Sequence, residues 1–206
     1  MNRAMAAVAM VLAAASPAVA GDPPTPEQEV QIVQSALDLL GHDPGPIDGV
    51  WGARTTEAAA AFAAASGYAG PTDRPDGALI EALLAQTGPA VEARFGTDPT
   101  GTWDLDFDGM HAAEREELMA IYGLDSVATC SSPFAIYFSG GIVYRQHELG
   151  VPVVMEVRDG EMRSLDPGGE FEPFVFAFVD DLTLRRDVEG MTEYWARCEA
   201  FGGPPL

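Results

Sequence analysis

Apolar residues recur at helical spacing just beyond the first twenty-five residues of the chain. They lie three or four positions apart, which places their side chains on one face of a helix: Val30, Val33, Leu37 and Leu40. Ahead of this stripe, Thr25 can cap the helix, Pro26 suits its first turn and Gln28 completes a capping box. The pattern therefore predicts a helix from about residue 26 that ends at Gly41.

Two further helices are predicted before residue 90. The second begins near Thr55 and ends at Gly67, and the third begins after Asp76 and stops before Gly88-Pro89. Residues 43–52, between the first two helices, contain three glycines and two prolines. This composition is typical of a tightly turned loop rather than of a flexible linker.

The spacing of these residues resembles the peptidoglycan-binding domain 1 family, whose pattern is Q-x-x-L-x-x-L-G followed by G-x-x-D-G-x-x-G-x-x-T-x-x-A-x-x-x-F. The positions that carry the resemblance are Gln34, Leu37, Leu40, Gly41, Gly45, Asp48, Gly49, Gly52, Thr55, Ala58 and Phe62. The chain departs from the family at Ala63, where glutamine is frequent, and at Leu79, where threonine is frequent. The resemblance implies a three-helix bundle over residues 26–88 that binds peptidoglycan.

Three residues of this module are candidate peptidoglycan contacts. Asp48 lies in the loop, Trp51 is an aromatic side chain able to stack on a sugar face, and Arg54 could pair with a peptide carboxylate. Each of the first two also has a structural interpretation. Asp48 can satisfy backbone N–H groups of its own turn, and Trp51 can fill the core of a small domain.

The hydrophobic period changes from helical to two beyond residue 95, which predicts an antiparallel β domain over residues 95–206. Turn signals at 139–141, 159–160, 180–181 and 189–190 separate apolar runs of strand length. Residues 111–122 are the exception and predict one helix, ended by Gly123. The expected architecture is a meander or small barrel of about six or seven strands. Gly101-Thr102-Trp103 resembles the start of a lipocalin-like barrel, but one tripeptide does not assign that family.

Asp104, Asp106 and Asp108 precede Gly109 in a D-x-D-x-D-G segment, which resembles the start of a calcium loop. The twelfth position, where such loops place a bidentate glutamate, is Arg115. The favoured interpretation is therefore an edge strand with Trp103, Leu105 and Phe107 facing inward and the three aspartates in water.

Residues 1–20 have the composition of a secretory signal peptide. A positive start is followed by an apolar run that is too short to span a bilayer and then by Ala18-Val19-Ala20. In an exported protein, the two cysteines, Cys130 and Cys198, are expected to form a disulfide. The protein is therefore expected to be periplasmic or otherwise exported.

The chain is strongly acidic, with 206 residues and a formal net charge of −21. Without residues 1–20 it has ten arginines against 32 acidic residues and no lysine. This balance disfavours nucleic acid and anionic membrane surfaces as partners.

Catalytic motifs of wall enzymes are not evident. The three histidines, His42, His111 and His147, are not spaced as a metal-ligand pair, and Cys130-Ser131-Ser132-Pro133 lacks the pattern of an L,D-transpeptidase. No carboxylate pair stands out as that of a glycosidase.

The sequence thus predicts an α+β protein of two domains without a cofactor: a non-catalytic, exported cell-wall protein that binds peptidoglycan. One alternative is a vestigial helical module attached to a β domain that binds a small molecule or a protein. The other is a wall hydrolase whose catalytic residues the sequence does not reveal.

Overall fold

Three helices form the first part of the described chain. The computed structural model describes residues 23–109, 112–123, 130, 135–146, 152–165, 173–188 and 191–198. The helices are α1 (Pro26–Leu39), α2 (Ala53–Ser66) and α3 (Gly77–Phe95). The signal peptide predicted over residues 1–20 lies outside the described residues. None of the described helices is long and apolar enough to span a membrane.

The predicted start of α1 is confirmed in detail. The Thr25 hydroxyl accepts a hydrogen bond from the Gln28 backbone N–H at 3.3 Å, and the Gln28 side chain accepts one from the Thr25 N–H at 2.9 Å. This capping box satisfies two backbone donors that a helix start otherwise leaves unpaired. Gly67, with a φ of 78°, ends α2 in the predicted left-handed conformation.

The predicted end of α3 before Gly88-Pro89 is wrong. The helix continues through Pro89 to Phe95, where Gly96 ends it. Proline removes only one helical hydrogen bond, and the carbonyl left without that donor belongs to Ala85, an exposed residue that water can reach. Val91, two residues beyond the proline, is fully buried. Packing beyond the proline therefore outweighs the local signal to stop.

Eight antiparallel strands form a closed barrel in chain order. They are β1 Gly101–Leu105, β2 Ile136–Ser139, β3 Val143–Gln146, β4 Pro152–Arg158, β5 Glu161–Leu165, β6 Val175–Asp180, β7 Thr183–Val188 and β8 Met191–Arg197. A helix, α4 (Ala112–Tyr122), lies between β1 and β2 in the sequence. The expected antiparallel domain with one helix is confirmed, but the strands in the described part of the chain number eight rather than six or seven.

The barrel closes because β1 pairs with β8 as well as with β2. The prediction that β1 is an edge strand is therefore wrong, although Trp103, Leu105 and Phe107 are buried as expected. A closed barrel has no edge, since the last strand supplies the partner that the first would lack.

Aromatic side chains fill the barrel interior. The ring of Phe176, on β6, lies 5.4 Å from that of Phe138, on β2, and 5.8 Å from that of Tyr144, on β3. Because β6 is not a neighbour of either strand, these contacts must cross the interior. Trp195 and Trp103 are also almost fully buried there.

Arg197 lies at the end of the barrel at which β1 begins. Its guanidinium lies 4.6 Å from the ring centre of Trp103, and its terminal nitrogens donate to the backbone carbonyls of Thr100 and Asp98. The Trp103 indole N–H donates to the carbonyl of Pro99 at 2.8 Å. The residues leading into β1 are thus attached to the end of β8.

The helical module packs directly on the barrel. The Ser35 hydroxyl of α1 donates to the carbonyl of Met155 in β4 at 2.7 Å, and the Gln28 amide donates to the carbonyl of Pro152 at 2.8 Å. Buried side chains of both parts belong to one continuous core. The two parts are therefore joined by buried contacts as well as by the chain.

The expected disulfide is present. Cys130 is bonded to Cys198, with the two Cα atoms 5.3 Å apart. It links the segment before β2 to the residue that follows β8.

Candidate functional site

The candidate site is the α1–α2 loop, residues 40–52, together with the first turn of α2. This is the segment in which the sequence placed Asp48, Trp51 and Arg54. All three lie within seven consecutive positions of the chain, Asp48 and Trp51 in the loop and Arg54 in the first turn of α2.

Gln34 of α1 holds the loop. Its side chain, which is only 1% exposed, accepts hydrogen bonds from the backbone N–H groups of Asp48 and Gly49 at 3.1 and 3.0 Å. Its amide nitrogen donates to the Asp48 carboxylate and to the Val50 carbonyl, both at 3.1 Å. The same nitrogen lies 3.4 Å from the Thr55 hydroxyl, which donates to the carbonyl of Pro44. These motif positions thus shape the loop.

Asp48 is part of its own turn, as the structural interpretation of this residue proposed. The carboxylate oxygen that meets Gln34 also accepts from the Val50 N–H at 2.9 Å. The Val50 N–H, followed by the Gln34 amide, lowers the pKa of Asp48 below its ordinary value. The side chain is nevertheless exposed, so the structure leaves both its turn role and a ligand role available.

Gly49 lets the loop lie against α1. Its φ of 74° is in the left-handed region, and a Cβ there would collide with the side chain of Glu27 and lie 3.2 Å from the Glu27 carbonyl oxygen. Any larger residue would therefore push the turn away from α1.

Trp51 is half-buried and packs against the core. Its indole N–H donates to the Thr56 hydroxyl at 2.9 Å. The polar atom of the ring is thus satisfied within the protein, and the residue as a whole is partly exposed. A structural role and a stacking role are compatible at this position.

Arg54 is exposed and forms an ion pair with Asp43 across the loop, with side chains 61% and 74% exposed. The Gly45 N–H, and after it the Arg54 guanidinium, lower the pKa of Asp43. The sequence pointed to Arg54 but not to Asp43, because the loop is what brings them together over eleven positions.

Val50 was missed by the sequence reasoning. It is 66% exposed, the most exposed of the large hydrophobic residues in the described part of the chain. It lies between Asp48 and Trp51 in the loop, and hydrophobicity alone did not distinguish it from Ile47, which is half-buried.

The three aspartates of the D-x-D-x-D-G segment do not share one environment. Asp104 is fully buried, which corrects the expectation that it faces water, and its carboxylate accepts from the Leu105 N–H. Asp106 is half-buried and accepts from the Gly109 N–H at 2.8 Å, while Asp108 is exposed. Within the described ranges, no three histidine, cysteine or acidic side chains are placed to hold a metal ion.

The other sequence candidates fall in different places. His42 lies edge-on to Phe62, with ring centres 6.0 Å apart. His111 and His147 lie outside the described residues.

Comparison with known families bears directly on the α1–α2 loop. Residues 26–83 match the family model described as "Putative peptidoglycan binding domain". The resemblance inferred from the motif is therefore confirmed for this part of the chain, which contains α1, α2 and the loop between them. No curated protein and no solved structure matches the chain.

The match indicates peptidoglycan binding by the helical module. A domain of this kind and a disulfide both fit a protein that works outside the cytoplasm.

Proposed function

We propose that this protein is an exported, non-catalytic cell-wall protein that binds peptidoglycan through the exposed surface of the α1–α2 loop. Val50, Trp51 and Arg54 supply the contacts, and Asp48 sets the shape of the turn. The observation that carries the proposal is the family match over residues 26–83. That range contains the α1–α2 loop, which Gln34 holds, and the exposed residues Val50 and Arg54.

The charge of the module decides what kind of binding is expected. Residues 21–90 contain Arg54 and Arg74 against ten acidic residues. Because peptidoglycan stem peptides carry carboxylates, long-range attraction cannot drive association. Binding must instead depend on short-range packing and hydrogen bonds, so added salt should leave it unchanged or strengthen it by screening repulsion.

The appropriate material for a test is the full mature chain. A fragment ending near residue 90 would cut α3, and it would expose the face of α1 that packs on β4. Purified sacculi are incubated with the folded protein, sedimented and washed, and the retained fraction is measured.

The ion pair between Arg54 and Asp43 offers two substitutions with opposite expected effects. Arg54→Ala should reduce retention about three- to tenfold, because a charge-assisted hydrogen bond contributes about 1 kcal/mol or more. Asp43→Ala should increase retention, since it frees the Arg54 guanidinium for a ligand carboxylate. Arg74→Ala is the matched control, because Arg74 is also 61% exposed, lies in the same module and forms an ion pair with Asp73.

The apolar part of the surface is tested in the same way. Val50→Ser should weaken retention, whereas Val179→Ser, at a 54% exposed valine on the barrel, should not.

Equal effects of Arg54→Ala and Arg74→Ala would contradict the role of the loop. A folded protein that is not retained at any ionic strength would contradict wall binding altogether, and release of muropeptides would identify a hydrolase instead.

A further inference from the structure

A buried ion pair lies inside the barrel, far in sequence from the α1–α2 loop. Arg186 of β7 is directly opposite Phe176 of β6 and Glu193 of β8 in the strand register. Residues opposite each other point to the same face of a sheet, and Phe176 points inward. The Arg186 and Glu193 side chains are 14% and 4% exposed.

The pair is asymmetric. The Nε and Nη2 atoms of Arg186 both lie 2.6 Å from the same oxygen of Glu193, Oε2, and the Trp195 indole N–H donates to that oxygen at 3.3 Å. The guanidinium lies 4.9 Å from the ring centre of Trp195 and 5.6 Å from those of Phe174 and Phe176. Glu193 and three rings therefore hold the guanidinium in place.

A pair of this kind is not explained by stability. Taking two charges out of water costs several kcal/mol per ion, and apolar residues of similar volume often stabilise a protein equally well or better. The barrel already has an aromatic interior in which such residues would fit. The ion pair therefore calls for a role other than packing.

The second interior arginine shows the contrast. Arg197, at the opposite end of the barrel, uses both terminal nitrogens on the backbone carbonyls of Thr100 and Asp98. Among the residues that the structure describes, Arg186 Nη1 has no hydrogen-bond partner. Because Nε and Nη2 face Glu193, no described residue uses the edge formed by Nη1 and the second Nη2 hydrogen, and that edge can donate to an oxygen acceptor.

Arg186 lies near the end of the barrel at which β6 begins and β7 ends. Of the described residues at this end, Arg186 and Phe174 are partly exposed, whereas Phe176 and Trp195 are buried. The arrangement is a donor edge at the barrel mouth with aromatic walls, the usual composition of a small-molecule site.

We propose that this end of the barrel binds a small apolar or aromatic molecule that bears a neutral carbonyl oxygen. The carbonyl accepts from the free edge of Arg186, and the apolar body lies against Phe174 and its neighbours. A neutral group is favoured over a carboxylate because Glu193 already cancels the charge of Arg186, and the net charge of the chain, −21, repels anions.

The proposal is tested with three probes that share one ring: benzamide, which is neutral, benzoate, which is negative, and benzylamine, which is positive. The full mature chain is labelled with nitrogen-15, and the indole N–H signals of its three tryptophans are followed. Benzamide should shift the Trp195 signal with the roughly millimolar affinity of so small a ligand. Trp51 and Trp103 serve as internal controls, and Trp→Phe variants assign the signals.

Substitutions separate a binding role from a structural one. Arg186→Lys should weaken benzamide binding about tenfold, whereas Arg185→Lys should not, because Arg185 lies on the outer face of the same strand and pairs with Asp187. If Arg186→Lys fails to fold, the double replacement R186M/E193M removes both charges together and should fold without binding benzamide.

The proposal is overturned if benzamide leaves the Trp195 signal unchanged up to its solubility limit. It is also overturned if benzoate or benzylamine binds as well as benzamide, or if R186M/E193M still binds. The experiment uses no sacculi, so its outcome is independent of wall binding by the helical module.

Discussion

At the scale of single residues, two buried glutamines that lie three positions apart on α1 have opposite roles. Gln34 uses both ends of its amide to fasten the α1–α2 loop. Gln31 is equally buried, but its Oε1 has no hydrogen-bond partner within the described part of the chain. A buried acceptor without a partner destabilises a protein, whereas a satisfied one supports it.

The two glutamines are therefore expected to respond oppositely to the same change. Gln34→Leu should reduce the free energy of unfolding by about 3 kcal/mol, because several loop hydrogen bonds of about 1 kcal/mol each are lost. Gln31→Leu should leave stability unchanged or raise it, since leucine removes the unpaired acceptor at similar volume. Urea unfolding of both variants measures the difference. Equal losses would show that Gln34 has no special role in the loop.

At the scale of elements, the β2–β3 turn packs against α3 where that helix passes Pro89. Gly140 and Gly141 have φ values of 56° and 71°, and the residues that approach them are Leu84, Thr87, Val91 and Pro99. This contact lies beside Gly88-Pro89, where the sequence predicted that α3 would end. The turn and the helix thus stabilise one another.

Gly140→Ala should disrupt this contact. The new Cβ would lie 2.8 Å from the Leu84 carbonyl oxygen and 2.5 Å from the Thr87 hydroxyl, in a backbone conformation that alanine disfavours. A loss of about 2 to 5 kcal/mol is expected from strain and overpacking together. Gly67→Ala is the matched control, since Gly67 has a φ of 78° with no atom within 4 Å of the added Cβ, and should cost only about 1 to 2 kcal/mol. Similar melting temperatures for the two variants would argue against the turn–helix contact.

At the scale of the whole molecule, α1 lies between two partners. One side packs in the helical bundle, and the other packs on β4 through the buried hydroxyl of Ser35. Because the cores are continuous, neither part can lose its structure without exposing apolar surface of the other. The helical module and the barrel are therefore expected to unfold in one transition.

Reduction of the disulfide tests this cooperativity. The bond between Cys130 and Cys198 closes 68 residues of chain, all beyond the helical module, and contributes up to about 4 kcal/mol in the chain-entropy model. If the molecule unfolds as one unit, a reductant should lower the unfolding midpoint. The decrease should be the same whether unfolding is followed as loss of α-helix by circular dichroism or by tryptophan fluorescence. Two transitions, of which only one responds to the reductant, would show that the parts unfold independently.

Much of the local structure was predictable because its causes are local. The capping box at Thr25, the glycine that ends α2 and the Asp159-Gly160 turn, with φ values of 53° and 85°, each depend on a few neighbouring residues. The loop motif was recognisable for a related reason. Gln34, Asp48 and Thr55 hold one another at fixed spacings, and a pattern of spacings is what a sequence displays directly.

What the sequence by itself determined was therefore the helical module, its loop and the period of the strands. Only the tertiary structure decided that β1 closes on β8, that α3 passes Pro89 and that Asp104 is buried. It also paired Arg54 with Asp43, and Arg186 with Glu193 among the aromatic rings. The physical reason is common to all of these features: each depends on packing or pairing between segments that folding brings together, and burial can outweigh a local preference.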